Sequence, residues 1–155
     1  MNIFYLDKCP KKSAKYMYNK HVVKMILESA QMLCCAHYHY NTDTEQIPYK
    51  KTHYNHPSTK WVRECASHYS WLYEHMRALG DEYTKRYNKT HLSITKCKHL
   101  WKLPNNIPRT EFKQPPQAMP DKYKDKCSIT AYWNYYIAEK SNIANKNETI
   151  YKQKP

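Results

Sequence analysis

Apolar positions along this chain recur at helical spacing. In "KHVVKMILESAQML", Lys20 to Leu33, they fall at Val22, Val23, Ile26, Leu27, Ala30 and Leu33, the rhythm of a helix with one buried face. The run predicts a helix capped by Asn19 and reaching about Tyr40. Before it, "NIFYL" reads as a short extended N-terminus. Asp7 is placed to cap a short helix through "CPKKSAKYMY", with Pro10 in its first turn. A polar loop precedes Pro57, which opens a second long helix, "PSTKWVRECASHYSWLYEHMRAL", that Gly80 interrupts or bends. "DEYTKRYNK" and "HLSITKCKHLWKL" are further helical pieces. "PNNIPRTEFKQPPQAMP" is too rich in proline for a helix or central strand and is expected to be a long loop. A last helix is predicted over Lys126 to Ala144, before a polar tail expected to fray. The class is all-α: one compact domain over 1–144, a bundle of about five helices, and a tail over 145–155.

Composition narrows the chemistry. At 155 residues the chain buries enough surface to do without disulfides. Its six cysteines form no CxxC and no regular framework. No basic-then-apolar signal opens the chain, and no apolar run approaches the roughly 18 residues of a membrane span. The expectation is a soluble protein of a reducing, intracellular compartment, the host cell cytoplasm if the source is viral, with no membrane partner. A single glycine, Gly80, sets aside glycine-rich phosphate loops. No cofactor is called for, and the histidines of "HYHY" and "HYNH" match no zinc spacing, so no metal is expected. Twenty-six Lys+Arg face 13 Asp+Glu, a net +13. That balance favours DNA or a small anionic nucleotide as partner. Coding bias toward lysine, asparagine and tyrosine would raise the charge without any such partner.

Against that background the polar side of the Asn19 helix is unusual. His21, Lys24, Glu28 and Gln31 line up at spacings of three and four, edged by Met25, Met32 and Cys35. Such a narrow stripe reads as a cleft wall, or else as a surface i,i+4 ion pair. Along the Pro57 helix, Trp61 and Trp71 flank Glu64 and His68, which suits stacking of a base or plain core packing. "DEYTKRYNKTH" gathers Lys85, Arg86, Lys89 and His91 beside Tyr83 and Tyr87, a phosphate contact or a solvated helix end. His53 and His56 are placed to bind an anion or to cap the Pro57 helix.

Taken in order, "DKCP", "NKHVVKMILESAQML", "THYNHP", "DEYTKRYNKTH", "PQAMPDKYK" and "YWNYYIAEK" resemble a family of small proteins of tailed bacteriophages and other DNA viruses. The likeness runs from Asp7 to Lys140 and implies a viral protein without an assigned activity. It implies site positions at Lys20, His21, Lys24, Glu28, His53, Asn55, His56, Arg86, His91, Gln117 and Met119. A weaker likeness is to the all-helical pyrimidine-dimer DNA glycosylases, in which an early helix offers a carboxylate and a terminal α-amine attacks the sugar. Glu28 stands where that carboxylate is expected. Those enzymes expose the amine of a small second residue, whereas here Met1 precedes Asn2 and is expected to be retained. The nucleophile is then the Met1 amine, or Lys24 if burial lowers its pKa.

Three functions remain open from the sequence. The first is a DNA glycosylase/lyase-like enzyme, with Glu28, Lys24, His21 and Met1 catalytic and Trp61 or Trp71 holding an extruded base. The second is a module that sequesters or cleaves an anionic nucleotide signal of host defence, gripping phosphate through His21, Lys24, His53, His56 and Arg86. The third is a non-catalytic host-interaction protein.

Overall fold

A computed structural model describes residues 1–155. Six α-helices and no strands make up the chain: α1 Pro10–Tyr16, α2 Asn19–His39, α3 Pro57–Glu64, α4 Ala66–Tyr87, α5 Leu92–Lys96 and α6 Ser128–Tyr135. The all-α expectation holds. No helix is long and apolar enough to cross a membrane. The long α2 and α4 pack against each other at the centre, with α1 on α4 and α3 on α2.

The helix boundaries depart from expectation in three places. The Pro57 helix breaks at Cys65, whose extended backbone (φ −158°, ψ 164°) separates α3 from α4. Gly80 neither stops nor bends α4. Instead, a Cβ there would lie 2.7 Å from Ile94 side-chain carbons, so the missing side chain lets α5 approach. The last helix ends at Tyr135 and continues as a wider turn over Tyr136–Lys140.

Neither expected cap acts through its side chain. Asp7 accepts the Cys9 N–H but makes no bond into α1. At α2, the open N–H groups are met from far along the chain. Glu148 accepts the Asn19 N–H at 2.7 Å, and the Tyr136 hydroxyl accepts the Tyr18 N–H at 2.8 Å. Asn19 is left to receive Arg86. The tail returns with Glu148, and Tyr151 packs edge-on against Tyr16 and Trp133.

Without strands, the irregular segments 1–9 and 104–120 have no ladder to satisfy their carbonyls. Core aromatics do it instead. Trp133 donates to Leu6 O, Trp71 to Lys8 O, Trp61 to Lys113 O and Tyr132 to Pro116 O, all at 2.7–2.9 Å. Indole and phenol rings bury large apolar bodies while keeping one polar tip, which suits them to this task. These bonds hold the N-terminal segment and the Pro-rich loop on the same end of the bundle.

Candidate active site

The N-terminal segment is buried from Ile3 to Leu6 and turns sharply inside that stretch. Phe4 has φ 55°, a left-handed conformation that bulky residues rarely adopt. The surroundings hold it there. Asn2 Oδ1 accepts the N–H groups of Ile3 and Phe4 at 2.7 and 3.1 Å, and Ser13 Oγ bridges Phe4 O and Leu6 N. Asn2 also donates to Ala118 O at 3.1 Å, and the Phe4 ring stacks on His21 at 4.4 Å. Strain sustained by this many partners is a common mark of a functional site.

The turn delivers the terminal amine to α2. Met1 N lies 3.4 Å from Glu28 Oε1. The Met1 side chain is 1% exposed while the residue as a whole is only half-buried, so solvent reaches its backbone end. The thioether is the anchor and the amine is presented. Glu28, 14% exposed, has its other oxygen buried without a hydrogen-bond partner; the nearest cation there is Lys24 Nζ at 3.7 Å. A carboxylate oxygen left this way costs stability unless something binds it.

His56 completes the group. Its Nδ1 accepts the Ser58 N–H at 3.1 Å, capping α3 as expected and leaving the proton on Nε2 in the neutral ring. Burial, then the positive N-terminus and His53, push its pKa below the ordinary imidazole range, against the pull of Glu28. His53 is exposed with φ 48°, and Asn55 beside it is exposed. A cavity of about 570 Å³ lies next to this group, lined by Pro57, Pro115, Pro116, Gln117, Ala118 and Ser128 among others.

Other sequence candidates have different positions. Lys24 is 71% exposed, so the burial needed to make it the amine nucleophile is absent. His21 is buried, with Nδ1 2.9 Å from the Tyr136 hydroxyl. Burial first, then Lys140 and Lys24, lower its pKa to about 4, so it is neutral and held by packing. Lys20 is exposed on α2.

Trp61 and Trp71 are core residues, their faces covered by His68 at 4.2 Å and His75 at 4.9 Å. With their N–H groups spent on the two irregular segments, they act as anchors in place of base stacking. Arg86 is likewise committed, donating to Met17 O, Asn19 Oδ1, Lys15 O and Glu82 Oε2. That leaves Lys85 and Lys89, both exposed, as the free cations of the segment. His91 caps α5 by accepting the Ser93 N–H and lies against the Val23 carbonyl. Gln117 closes a loop on both backbone groups of Asp125, and Met119 packs on the core beside it.

Asn2 is the site residue that sequence reasoning passed over. Its one legible signal is the tendency of asparagine to bond backbone two residues on.

No curated protein and no solved structure matches the chain. The family model for pyrimidine dimer DNA glycosylase matches residues 1–95, more than half of the chain and the part that contains Met1, Glu28 and His56, and the chain belongs to that family.

Proposed function

We propose that this protein is a DNA N-glycosylase with an associated lyase step, acting on pyrimidine dimers or similarly damaged pyrimidines. The observation that carries the reading is the Met1 amine 3.4 Å from Glu28, whose second oxygen is buried and unpartnered. An ammonium must lose a proton before it attacks, and Glu28 Oε1 is placed to take it. The neutral amine then bonds to C1′ of the damaged nucleotide. The C1′–N bond to the base breaks, and the base leaves with that electron pair and a proton. Loss of the ring C1′–O4′ bond, with a proton delivered to O4′, leaves an imine on Met1. Glu28 passes the proton it took to the departing base and is ionised again, so that it stabilises the positive charge left on the sugar. Removal of a C2′ proton from the imine then expels the 3′ phosphate and cuts the strand.

The buried Met1 side chain and the Asn2 bonds limit the motion of the amine, which favours attack by lowering its orientational cost. Borohydride trapping on a duplex with an abasic site, followed by peptide mapping, tests the reading. An adduct on the Met1 peptide that disappears in Glu28→Gln is the expected result. An adduct on Lys24, or none with the chain verified to begin at an unblocked Met1, overturns it.

A further inference from the structure

Three of the four tryptophans are buried, and each gives its indole N–H to a distant carbonyl: Trp61 to Lys113, Trp71 to Lys8 and Trp133 to Leu6. Trp101 does neither and is 63% exposed. The backbone beneath it is nevertheless held like the core. Trp101 ends a single turn of 3₁₀ helix, Lys98–Trp101, in which Leu100 is buried, as is Cys97 just before it. The Tyr73 hydroxyl donates to Lys98 O at 2.8 Å and the Tyr69 hydroxyl to Leu100 O at 2.6 Å. His99 Nε2 donates to Gln46 O at 2.6 Å. Scattered apolar exposure on a loose loop needs no explanation. An indole kept open to solvent on an anchored turn is a stacking surface ordered in advance.

The chain around this turn is basic. Between Glu82 and Glu111 no acid occurs, against seven lysines and arginines. Lys98 and Trp101 stand three apart in the 3₁₀ turn, where side chains at that spacing eclipse. Lys102 Nζ lies 5.6 Å from the centre of the Trp101 ring, and both lysines are exposed. Asp43 and Glu45, on the turn that His99 binds, bound the patch on that side. An aromatic face edged by lysines fits a polyanion that offers free aromatic faces of its own. Unpaired nucleotides do so, whereas a duplex keeps its base faces stacked. A bilayer calls for a broad apolar face. Here Trp101 is the one exposed apolar side chain from Lys96 to Lys102, since Cys97 and Leu100 are buried.

The patch is separate from Met1 and Glu28. Tyr69 and Tyr73 carry the turn on one side of α4. Trp71 and His75, roughly half a turn round the helix, hold the N-terminal segment through Lys8 O and Pro10 O. Resting on the glycosylase reading only for the choice of DNA as the polymer, we infer that Lys98–Trp101 with Lys102 is a second site that binds unpaired single-stranded DNA. Trp101 stacks on one base, and Lys98 and Lys102 meet the phosphates beside it. The site adds affinity for substrates that carry a single-stranded region and takes no part in the chemistry at the amine.

The test measures binding of a labelled short oligothymidylate to the full chain by fluorescence anisotropy across a salt series, in wild type, Trp101→Ala, Trp101→Phe and K98A/K102A. Trp101→Ala should bind about tenfold more weakly or worse, and Trp101→Phe, which keeps a ring, should recover much of that loss. K98A/K102A should lower the slope of log affinity against log salt by about 1.4, from two phosphates at roughly 0.7 each. Both Trp101 variants should melt as the wild type does and trap equally on a blunt abasic duplex with borohydride. Equal oligothymidylate affinity in Trp101→Ala overturns the site. So does a Trp101→Ala loss confined to phosphatidylserine vesicles, or a wild-type dimer in light scattering that Trp101→Ala dissolves, since the patch then meets a membrane or a second copy. Absent trapping in the wild type, with the oligothymidylate results as expected, would fail the Met1 chemistry and leave this site standing.

Discussion

The start and the middle of α2 hold similar inventories, an acid, basic groups and neighbouring aromatics, and use them in opposite ways. At the N-terminus, Arg86 makes four hydrogen bonds of 2.7–3.2 Å to Met17, Asn19, Lys15 and Glu82. Glu148 there accepts from Asn19 N–H and Asn145 N–H, one on each oxygen. Some 13 Å further along the helix, Glu28 has contacts of 3.4 and 3.7 Å and an oxygen with no hydrogen-bond partner. The charged groups of the first network are all partnered, with only the Tyr18 hydroxyl left without a hydrogen bond, so its return is stability. The second is open, with a buried acceptor and a presented amine, and its unsatisfied capacity is what a substrate can use. Charge and residue type do not distinguish the two regions; satisfaction does.

The contrast is broken most severely by Glu28→Gln. It should cut glycosylase turnover by roughly 10²–10⁴-fold and leave the melting temperature close to wild type. A collapsed fold would instead place Glu28 with the structural network at the start of α2. Acid attacks both regions together through the core. His21, His37 and His75 are held to about 4, each chiefly by burial. Because their folded pKa values are depressed, the unfolded chain binds protons that the native one refuses. Their contribution is intact above about pH 6.5 and is lost as pH falls toward 4. Melting should drop by at least about 10 °C between pH 7 and 4.5; a flat profile would mean that these rings are protonated in place.

Arg86→Ala comes next, at a cost on the order of 3 kcal/mol, since it strips partners from four acceptors at once. Denaturant melts should show that loss while trapping per folded molecule is retained; lost trapping with an unchanged melt would move Arg86 into the substrate site. Smallest of all is Lys24→Ala. An exposed i,i+4 pair in the Lys-first order is worth a few tenths of a kcal/mol. Stability should change by less than about 0.5 kcal/mol, and the trapped adduct should still map to Met1. Loss of the adduct in a folded Lys24→Ala protein would restore Lys24 as the nucleophile.

Part of the candidate site's geometry was legible. The periodicity of α2 places Lys24 and Glu28 on one stripe, and local spacing is enough to see it. The same periodicity misplaced its margins: it put His21 on the polar side and Val23 and Leu27 on the apolar one. Burial on a helix flank depends on which neighbours arrive, here Phe4 and Tyr136 over His21 and only partial cover over Val23 and Leu27. The basic segment Lys85 to Lys89 looked uniform, yet Arg86 is spent and Lys85 is free, a distinction made by the carbonyls at the end of α1. The tryptophans looked available for stacking because their partners, Lys8 O and Lys113 O, are distant in sequence.

By itself the sequence determined the helical class, the α2 stripe and the basic charge, all properties of neighbours within a turn or of composition. Tertiary structure alone decided that residue 1 meets residue 28, that a strained Phe4 aims it, and that Glu148 caps a helix 129 positions earlier. Those are long-range pairings of single polar groups, and a single hydrogen bond leaves no period in the sequence from which to read it.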